Sequence, residues 1–374
     1  MNRRAMIVGA TAALAVGELS SCTTVDRTQT ASITPPEPPT APAAPSGSRS
    51  SLRAAASGGG RYFGTAVQAA ALSGDGALRS TLTFDCGSIT PEWAMKWDAV
   101  APTSDGYNFS EMDRLADFAG RNGLALRGHT LLWHKSVPGW AAGLISRTRQ
   151  WQHVEAHLEK VMTRYGGRVR EWDVVNEPIE PNDGSSGLRN NLFMRAFGPD
   201  YIEWALWSAH KFAPNARKVI NEYGLEYNLP YEGQRRLALL RLLARLKSRD
   251  VPVDTVGLQA HLDLRKGALY RDGIHGLIRD ITAMGLKVVI TELDVAEADT
   301  SLPLERRDSL VADETRRYLD IVLDFSSVIG VNTWGLSDSY SWLRSQRSRS
   351  NRGLPYDADW QPKPMHEAIR TALA

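Results

Sequence analysis

Residues 172–178 read Trp172-Asp173-Val174-Val175-Asn176-Glu177-Pro178. The run from Val169 to Val175 is short and rich in β-branched and aromatic side chains. A proline that can donate no ladder hydrogen bond follows it. The stretch predicts a buried strand with an Asn-Glu pair at its carboxyl end. Seven further β-rich runs flank it: Arg61–Val67, Ser88–Trp93, Leu124–Leu132, Lys218–Glu222, Thr255–His261, Lys287–Leu293 and Gly330–Trp334. Helical patterns lie between them, among them Ser110–Asn122, Arg149–Tyr165, Asp200–Phe212, Tyr231–Ser248 and Leu304–Asp324. Strand and helix in alternation argue for a parallel sheet covered by helices. Eight such units over about 310 residues suit a (β/α)8 TIM barrel in a single catalytic domain. A doubly wound open sheet is the alternative. No Gly-x-Gly-x-x-Gly follows a strand, and Gly58-Gly59-Gly60 precedes the first one.

In a (β/α)8 barrel the chemistry lies at the carboxyl ends of the strands. Those ends carry Glu92-Trp93-Ala94-Met95-Lys96-Trp97, Arg127-Gly128-His129-Thr130-Leu131-Leu132-Trp133-His134, Asn176-Glu177, Gln259-Ala260-His261, Thr291-Glu292-Leu293-Asp294 and Trp334-Gly335-Leu336-Ser337-Asp338. Carboxylates, histidines and tryptophans at most strand ends describe a polar cleft with stacking walls. Glu177 and Glu292 each close an apolar run, on strands four and seven. Two glutamates facing each other across a cleft suit glycoside hydrolysis. About 5–5.5 Å between them gives retention of configuration, and about 6.5–9.5 Å gives inversion.

The whole chain of 374 residues carries 44 Lys+Arg against 42 Asp+Glu. That balance offers no basic excess for nucleic acid. Two cysteines exclude a disulfide scaffold and a four-cysteine zinc site. Tryptophan (11) outnumbers phenylalanine (8), and the indole is suited to stacking on flat ligand faces.

The amino terminus reads as an address. Asn2-Arg3-Arg4 precedes an apolar run from Ala5 to Gly17, too short to span a membrane. The arginine pair resembles a twin-arginine export signal. Leu19-Ser20-Ser21-Cys22 resembles a lipoprotein box with Cys22 as the lipidated residue, Glu18 being a departure. Six of the 19 prolines lie between Pro35 and Pro45. Such composition cannot offset its ordering entropy. Residues 1–22 are therefore expected to be a signal peptide of lipoprotein type. A disordered Pro/Ala/Ser-rich linker is expected over 23–60 and the catalytic domain over 61–374. The expected location is the cell envelope or outside, with the membrane reached only through the lipid anchor. Cys86 reads as a small buried hydrophobe.

The two runs Trp172–Pro178 and Ile290-Thr291-Glu292-Leu293-Asp294-Val295 resemble the active-site signatures of glycoside hydrolase family 10, whose characteristic members are endo-1,4-β-xylanases. The blocks Arg127–His134, Gln259–His261, Trp334–Asp338 and Gln361-Pro362-Lys363-Pro364 match further family motifs in the same order. The resemblance implies retaining hydrolysis of xylan with Glu177 as acid/base and Glu292 as nucleophile, without metal or organic cofactor, by a monomer. It implies that Asn176 binds the sugar 2-hydroxyl and that His261, with Asp294, orients Glu292. Gln259 shares His261's side of its strand. Glu92, Lys96 and His129 would bind glycone hydroxyls, Trp133, Trp334 and Trp342 would wall the sugar nearest the cut, and Tyr223 would line the leaving-group side.

Two positions depart from the family pattern. Trp93 stands where Asn is usual, and Ser136 where Gln is usual. Both usual residues contact the second glycone sugar, so that subsite is expected to differ, with Trp93 either stacking on sugar or turned into the core. His153 and His157, four apart on a predicted helix, read as an exposed face, because Val154 breaks the zinc pattern His-Glu-x-x-His. Arg344, Arg347, Arg349 and Arg352 read as a solvated loop, with acidic side groups on xylan as the alternative partner. The rival functions are the same chemistry on a β-1,4- or mixed-linkage glucan, and non-hydrolytic glycan binding at the cell surface.

Overall fold

Val288, Val289 and Ile290 are consecutive and all fully buried, which requires cover on both faces of their strand. The computed structural model, which describes residues 50–374, supplies that cover with a closed barrel. Its strands are β1 (Tyr62–Val67), β2 (Ser88–Pro91), β3 (Ala125–Gly128), β4 (Val169–Asn176), β5 (Arg217–Glu222), β6 (Thr255–Leu258), β7 (Lys287–Ala296) and β8 (Val328–Thr333). Each pairs in parallel with the next, and β8 pairs with both β7 and β1 to close the ring. The open-sheet alternative is thereby excluded. The export signal, Cys22 and most of the expected linker lie outside the described residues.

Among the helices are α1 (Leu52–Gly58), α2 (Ser110–Arg121), α3 (Gln152–Tyr165), α4 (Tyr201–Phe212), α5 (Pro230–Ser248), α6 (Leu304–Val322) and α7 (Pro364–Leu373). They follow the apolar periodicity. In α2, Met112, Leu115, Ala116, Phe118 and Ala119 are buried, the i, i+3, i+4 stripe of a helix lying on a sheet.

Three expectations change. The linker ends before Gly60, because residues 52–58 form α1. Ser51 Oγ caps α1 by accepting from Ala54 N–H at 3.1 Å, and Leu52 and Ala56 are fully buried. An alanine- and glycine-rich run looked like linker, but its apolar stripe lies against α7 at the other end of the described body. Two expected strands are interrupted. Leu124–Leu132 splits into β3 and a two-residue pair, Leu132–Trp133, beside β4. Thr255–His261 breaks at Ala260, whose φ is 60°, and His261–Asp263 resumes beside β7 with His261 opposite Asp294. Finally, His157 is not exposed: it is 1 % accessible and stacks on Trp97 at 4.0 Å. Burial pushes its pKa down to about 3. Cys86 is fully buried, as its type suggested.

The barrel interior also holds a charged network. Arg127 is fully buried, and its guanidinium donates to Glu171 at 2.8 Å and to Asp173 at 2.7 Å. Glu171 also accepts from the Tyr62 hydroxyl. Glu171 and Asp173 are two apart on β4 and so share its inner face.

Candidate active site

The site begins with a slip in β4. Strict alternation from Asp173 would put Val175, not Asn176, on the inner face. The register against β5 shifts between Asp173 and Val175, and Asn176 then pairs with Asn221. Asn221 Nδ2 donates to Asn176 Oδ1 at 2.8 Å and to Glu292 Oε1 at 2.7 Å. Thr291 Oγ1 donates to Asn221 Oδ1 at 2.7 Å, which fixes the amide's orientation. Gly257 makes this possible, since a Cβ there would lie 2.3 Å from Asn221 Oδ1.

Glu177 follows directly, in the left-handed region at φ 56°. That conformation costs a non-glycine residue about 1 kcal/mol or more. Two hydrogen bonds hold it: Glu177 N–H donates to Asn221 O at 2.9 Å, and Arg189 Nε donates to Glu177 O at 2.9 Å. Gln259 Nε2 approaches Glu177 Oε1 at 3.4 Å, while Gln259 O accepts from Glu292 N–H at 3.0 Å. Asn221 and Gln259 thus each touch both glutamates, one through side chain and one through backbone. The two carboxylates converge on one mouth.

Their environments differ. Both oxygens of Glu292 are held, Oε1 by Asn221 and Oε2 by His261 Nε2 at 3.1 Å. His261 Nδ1 faces Asp294 Oδ1 at 2.8 Å. Both ring nitrogens therefore face carboxylate acceptors, a position that calls for imidazolium. Burial opposes that charge, but Asp294 and Glu292 together raise the His261 pKa well above its usual value. Burial likewise opposes charge on Glu292. The hydrogen bonds from His261 and Asn221 and the charges of His129 and His261 win, and bring it down to about 2. Glu177 is different: its Oε2 is buried and, among the described residues, accepts no hydrogen bond. The nearest cation is Lys135 Nζ at 3.9 Å, on a side chain 61 % exposed.

The remaining expected residues ring this pair. Trp342 Nε1 donates to Asp294 Oδ2 at 2.6 Å, and its ring lies 5.1 Å from that of His261. Trp334 lies edge-on to His129 at 5.0 Å and to His261 at 6.4 Å. His129 Nδ1 meets Asp173 Oδ2 at 2.8 Å, which ties the site to the Arg127 network below. The Lys96 ammonium sits 4.4 Å from the Trp93 ring and 4.5 Å from the Trp133 ring. Glu92 accepts from Gln68 Nε2 at 3.3 Å. Burial, only partly offset by Gln68 and Lys96, raises the Glu92 pKa to about 7. Tyr223 accepts from Arg189 Nη2 at 3.1 Å, and the Arg235 guanidinium covers its ring at 4.0 Å. Buried Nε1 of Trp133 and Nδ1 of His134 also lack partners among the described residues.

The two departures resolve differently. Trp93 is 49 % exposed, so it is not turned into the core. Ser136 is buried, and its Oγ reaches only the Trp133 carbonyl, at 3.5 Å. In the arginine loop, Arg352 pairs with Asp308 at 2.8 Å and Arg347 approaches Asp263 at 3.6 Å, while Arg344 and Arg349 are exposed. Among the described residues no group of three or more His, Cys, Asp or Glu is placed to hold a metal ion.

Sequence reasoning missed Asn221, Asp173 and Arg127 as parts of the site. Asn221 had a readable signal, since it stands two before Tyr223 at the end of β5. Asp173 and Arg127 stand inside the quoted motifs, but their residue types alone assign them no role.

Paired glutamates on separate walls of a (β/α)8 mouth, one saturated with donors and one not, define a sugar-cleaving hydrolase. The family description "Glycosyl hydrolase family 10" matches residues 51–372. Endo-1,4-beta-xylanase C of Phanerodontia chrysosporium is 34 % identical over 319 residues, 84 % of this chain and 76 % of that protein. Endo-1,4-beta-xylanase B of Thermotoga neapolitana is 32 % identical, with 76 % and 80 % covered. Native xylanase 10B of Thermotoga maritima superposes with a TM-score of 0.77 at 31 % identity over 86 % of this chain and 98 % of that one. Xylanase 10B of Thermotoga petrophila, in complex with xylobiose, does so at 0.78 and 31 %, with 86 % and 97 % covered. The chain belongs to glycosyl hydrolase family 10, and it is a glycoside hydrolase.

If His261 keeps Glu292 ionised, His261→Asn lets the Glu292 pKa climb from about 2 towards its usual 4.5. The acid limb of kcat/KM is then expected to move up by about 1–2 pH units. Activity near pH 4 falls more than activity near pH 7. A pH profile whose acid limb stays in place contradicts the role.

Proposed function

We propose that the protein is an endo-acting, retaining β-1,4-xylanase. The observation that carries the assignment of roles is the asymmetry between the two carboxylates. Glu292, with both oxygens held by donors and its pKa near 2, is ionised at any working pH and oriented for attack. Glu177, with Oε2 unpartnered inside the cleft, has an oxygen free to give a proton. In the first step a Glu292 oxygen bonds to the anomeric carbon. The bond to the leaving-group oxygen breaks, and that oxygen takes the Glu177 proton. In the second step Glu177 takes a proton from water, whose oxygen displaces Glu292. Two inversions give net retention.

Asn176, its Oδ1 occupied by Asn221, has its Nδ2 available for the sugar 2-hydroxyl. Glu92, its pKa raised to about 7 by burial, can donate or accept at a glycone hydroxyl alongside His129 and Lys96. Trp133, Trp334 and Trp342 wall the sugar at the cut, and Tyr223 the leaving-group side. The names of the relatives, all endo-1,4-beta-xylanases, support xylan as the polymer. Side-by-side product analysis on xylan, cellulose and mixed-linkage glucan tests this, with the anomer of the first product read by proton NMR. Short β-xylo-oligosaccharides are expected from xylan. Preferential cleavage of a glucan, or an α-anomer as first product, overturns the reading.

Trp93 and Ser136 leave the second glycone sugar two polar contacts short, and the exposed indole supports stacking in their place. Each net hydrogen bond is worth about 0.5–1.5 kcal/mol. Trp93→Asn with Ser136→Gln is expected to change kcat/KM on xylotriose about tenfold. Trp93→Asn alone controls for the buried site at Ser136. Equal kinetic constants for all three proteins refute an altered subsite.

The sequence of residues 1–22 supports export and lipidation at Cys22. Among the described residues no helix is long and apolar enough to cross a membrane. Cys22→Ser in the producing cell is expected to move the enzyme from the membrane fraction to the soluble one. An unchanged distribution removes the anchor.

A further inference from the structure

Helix α4 reads Tyr201-Ile202-Glu203-Trp204-Ala205-Leu206-Trp207-Ser208-Ala209. Its apolar stripe, Tyr201, Ile202, Ala205, Leu206 and Ala209, is buried against the body. Trp204 and Trp207 lie off that stripe, three residues apart and so neighbours on one face. They are 40 % and 47 % exposed. With Trp93 of the cleft they are the three tryptophans among the large exposed apolar side chains of the described residues.

A third indole completes a groove. Trp151, just before α3, meets Trp204 edge-on at 5.6 Å, and Phe197 packs behind both, at 5.4 Å from Trp151 and 6.1 Å from Trp204. The groove, about 370 Å³, is lined by Trp151, Glu155, Trp204, Trp207, Ser208 and Lys211. Lys211 Nζ pairs with Glu155 Oε1 at 3.2 Å. Aromatic faces therefore lie beside one donor and one acceptor of cancelling charge. A lipid or nucleic-acid phosphate would ask for net positive charge, which the groove lacks. A pyranose ring, with apolar C–H faces and a rim of hydroxyls, matches both parts. None of these residues belongs to the cluster around Glu177 and Glu292.

We propose that this groove is a second glycan-binding site, which holds a β-1,4-linked pentopyranose chain of the polymer substrate on the flank of the barrel. The ligand class rests on the xylanase reading above. Flank binding raises the effective concentration of polymer at the cleft without a part in the chemistry. It therefore matters for long or insoluble substrate and not for short ones.

Trp204→Ala with Trp207→Ala tests it, with the melting temperature as a check on folding and Trp207→Phe as a milder second variant. In a Glu292→Ala background, which removes cleavage, the double variant is expected to bind insoluble xylan about tenfold more weakly than its parent. With Glu292 intact, kcat/KM should fall several-fold on insoluble xylan and stay unchanged on xylotriose, and Trp207→Phe should keep most of the polymer binding. Unchanged binding to the polymer overturns the site. So does sedimentation showing a dimer that the double variant dissolves, since the groove would then be an interface between copies. Wild-type enzyme that releases no new reducing ends from xylan strikes the proposed reaction instead. The binding arm still decides the groove, because it needs no cleavage.

Discussion

Glu292→Ala is expected to lower kcat on xylan by about 10⁴-fold or more, because in the proposed mechanism Glu292 forms the bond to the anomeric carbon. The carboxylate lies between Asn221 and His261, with both oxygens engaged, and no neighbouring side chain can replace it at the same point. Release of new reducing ends measures the loss. More than about one part in a hundred of the activity remaining would mean that the nucleophile is elsewhere. The same carboxylate shapes stability. Its folded pKa of about 2 lies below the ordinary 4.5, so its ionisation favours the fold above pH 4.5. That contribution is lost as pH falls from 4.5 towards 2. In Glu292→Gln the acid dependence of melting is expected to flatten in this window.

Glu177→Ala should behave differently according to the leaving group. On xylan the leaving sugar oxygen needs a proton, and loss of the acid is expected to cost about 10²–10⁴-fold in kcat/KM. An aryl β-xylobioside whose phenolate leaves unprotonated does not need it. Its first step should proceed nearly as in the native enzyme, and the glycosyl-enzyme then accumulates for want of a base. A burst of phenolate followed by slow turnover is the expected trace. Azide, a nucleophile that needs no base, should restore turnover and give a β-glycosyl azide. Equal losses on both substrates with no effect of azide would remove Glu177 from the acid/base role.

Much of this was legible in the residues. Each barrel strand lies within an expected run or within two residues of one, except where β7 continues to Ala296, and β2, β3 and β6 end before their expected runs do. Parallel strands covered on both sides leave unmistakable apolar runs, and Val288-Val289-Ile290 is one. Glu177 and Glu292 were legible because each is a charge ending such a run. The linker boundary failed for a physical reason: the Ala-rich helix α1 owes its burial to α7, three hundred residues later. His157 failed similarly, since nothing local announces that Trp97 stacks on it.

The sequence by itself determined the eight-unit alternation, the polar residues gathered towards the carboxyl ends of the strands and the two glutamates that follow their apolar runs. These follow from periodicity and side-chain type within a few residues. Only the tertiary structure decided that Asn221 and Gln259 each reach both glutamates, that a register slip turns Asn176 inward, that Arg127 supports His129 through Asp173, and that Trp93, Trp204 and Trp207 remain exposed. These depend on how closure of the barrel aligns strands distant in the chain, and that alignment is set by packing across the whole ring.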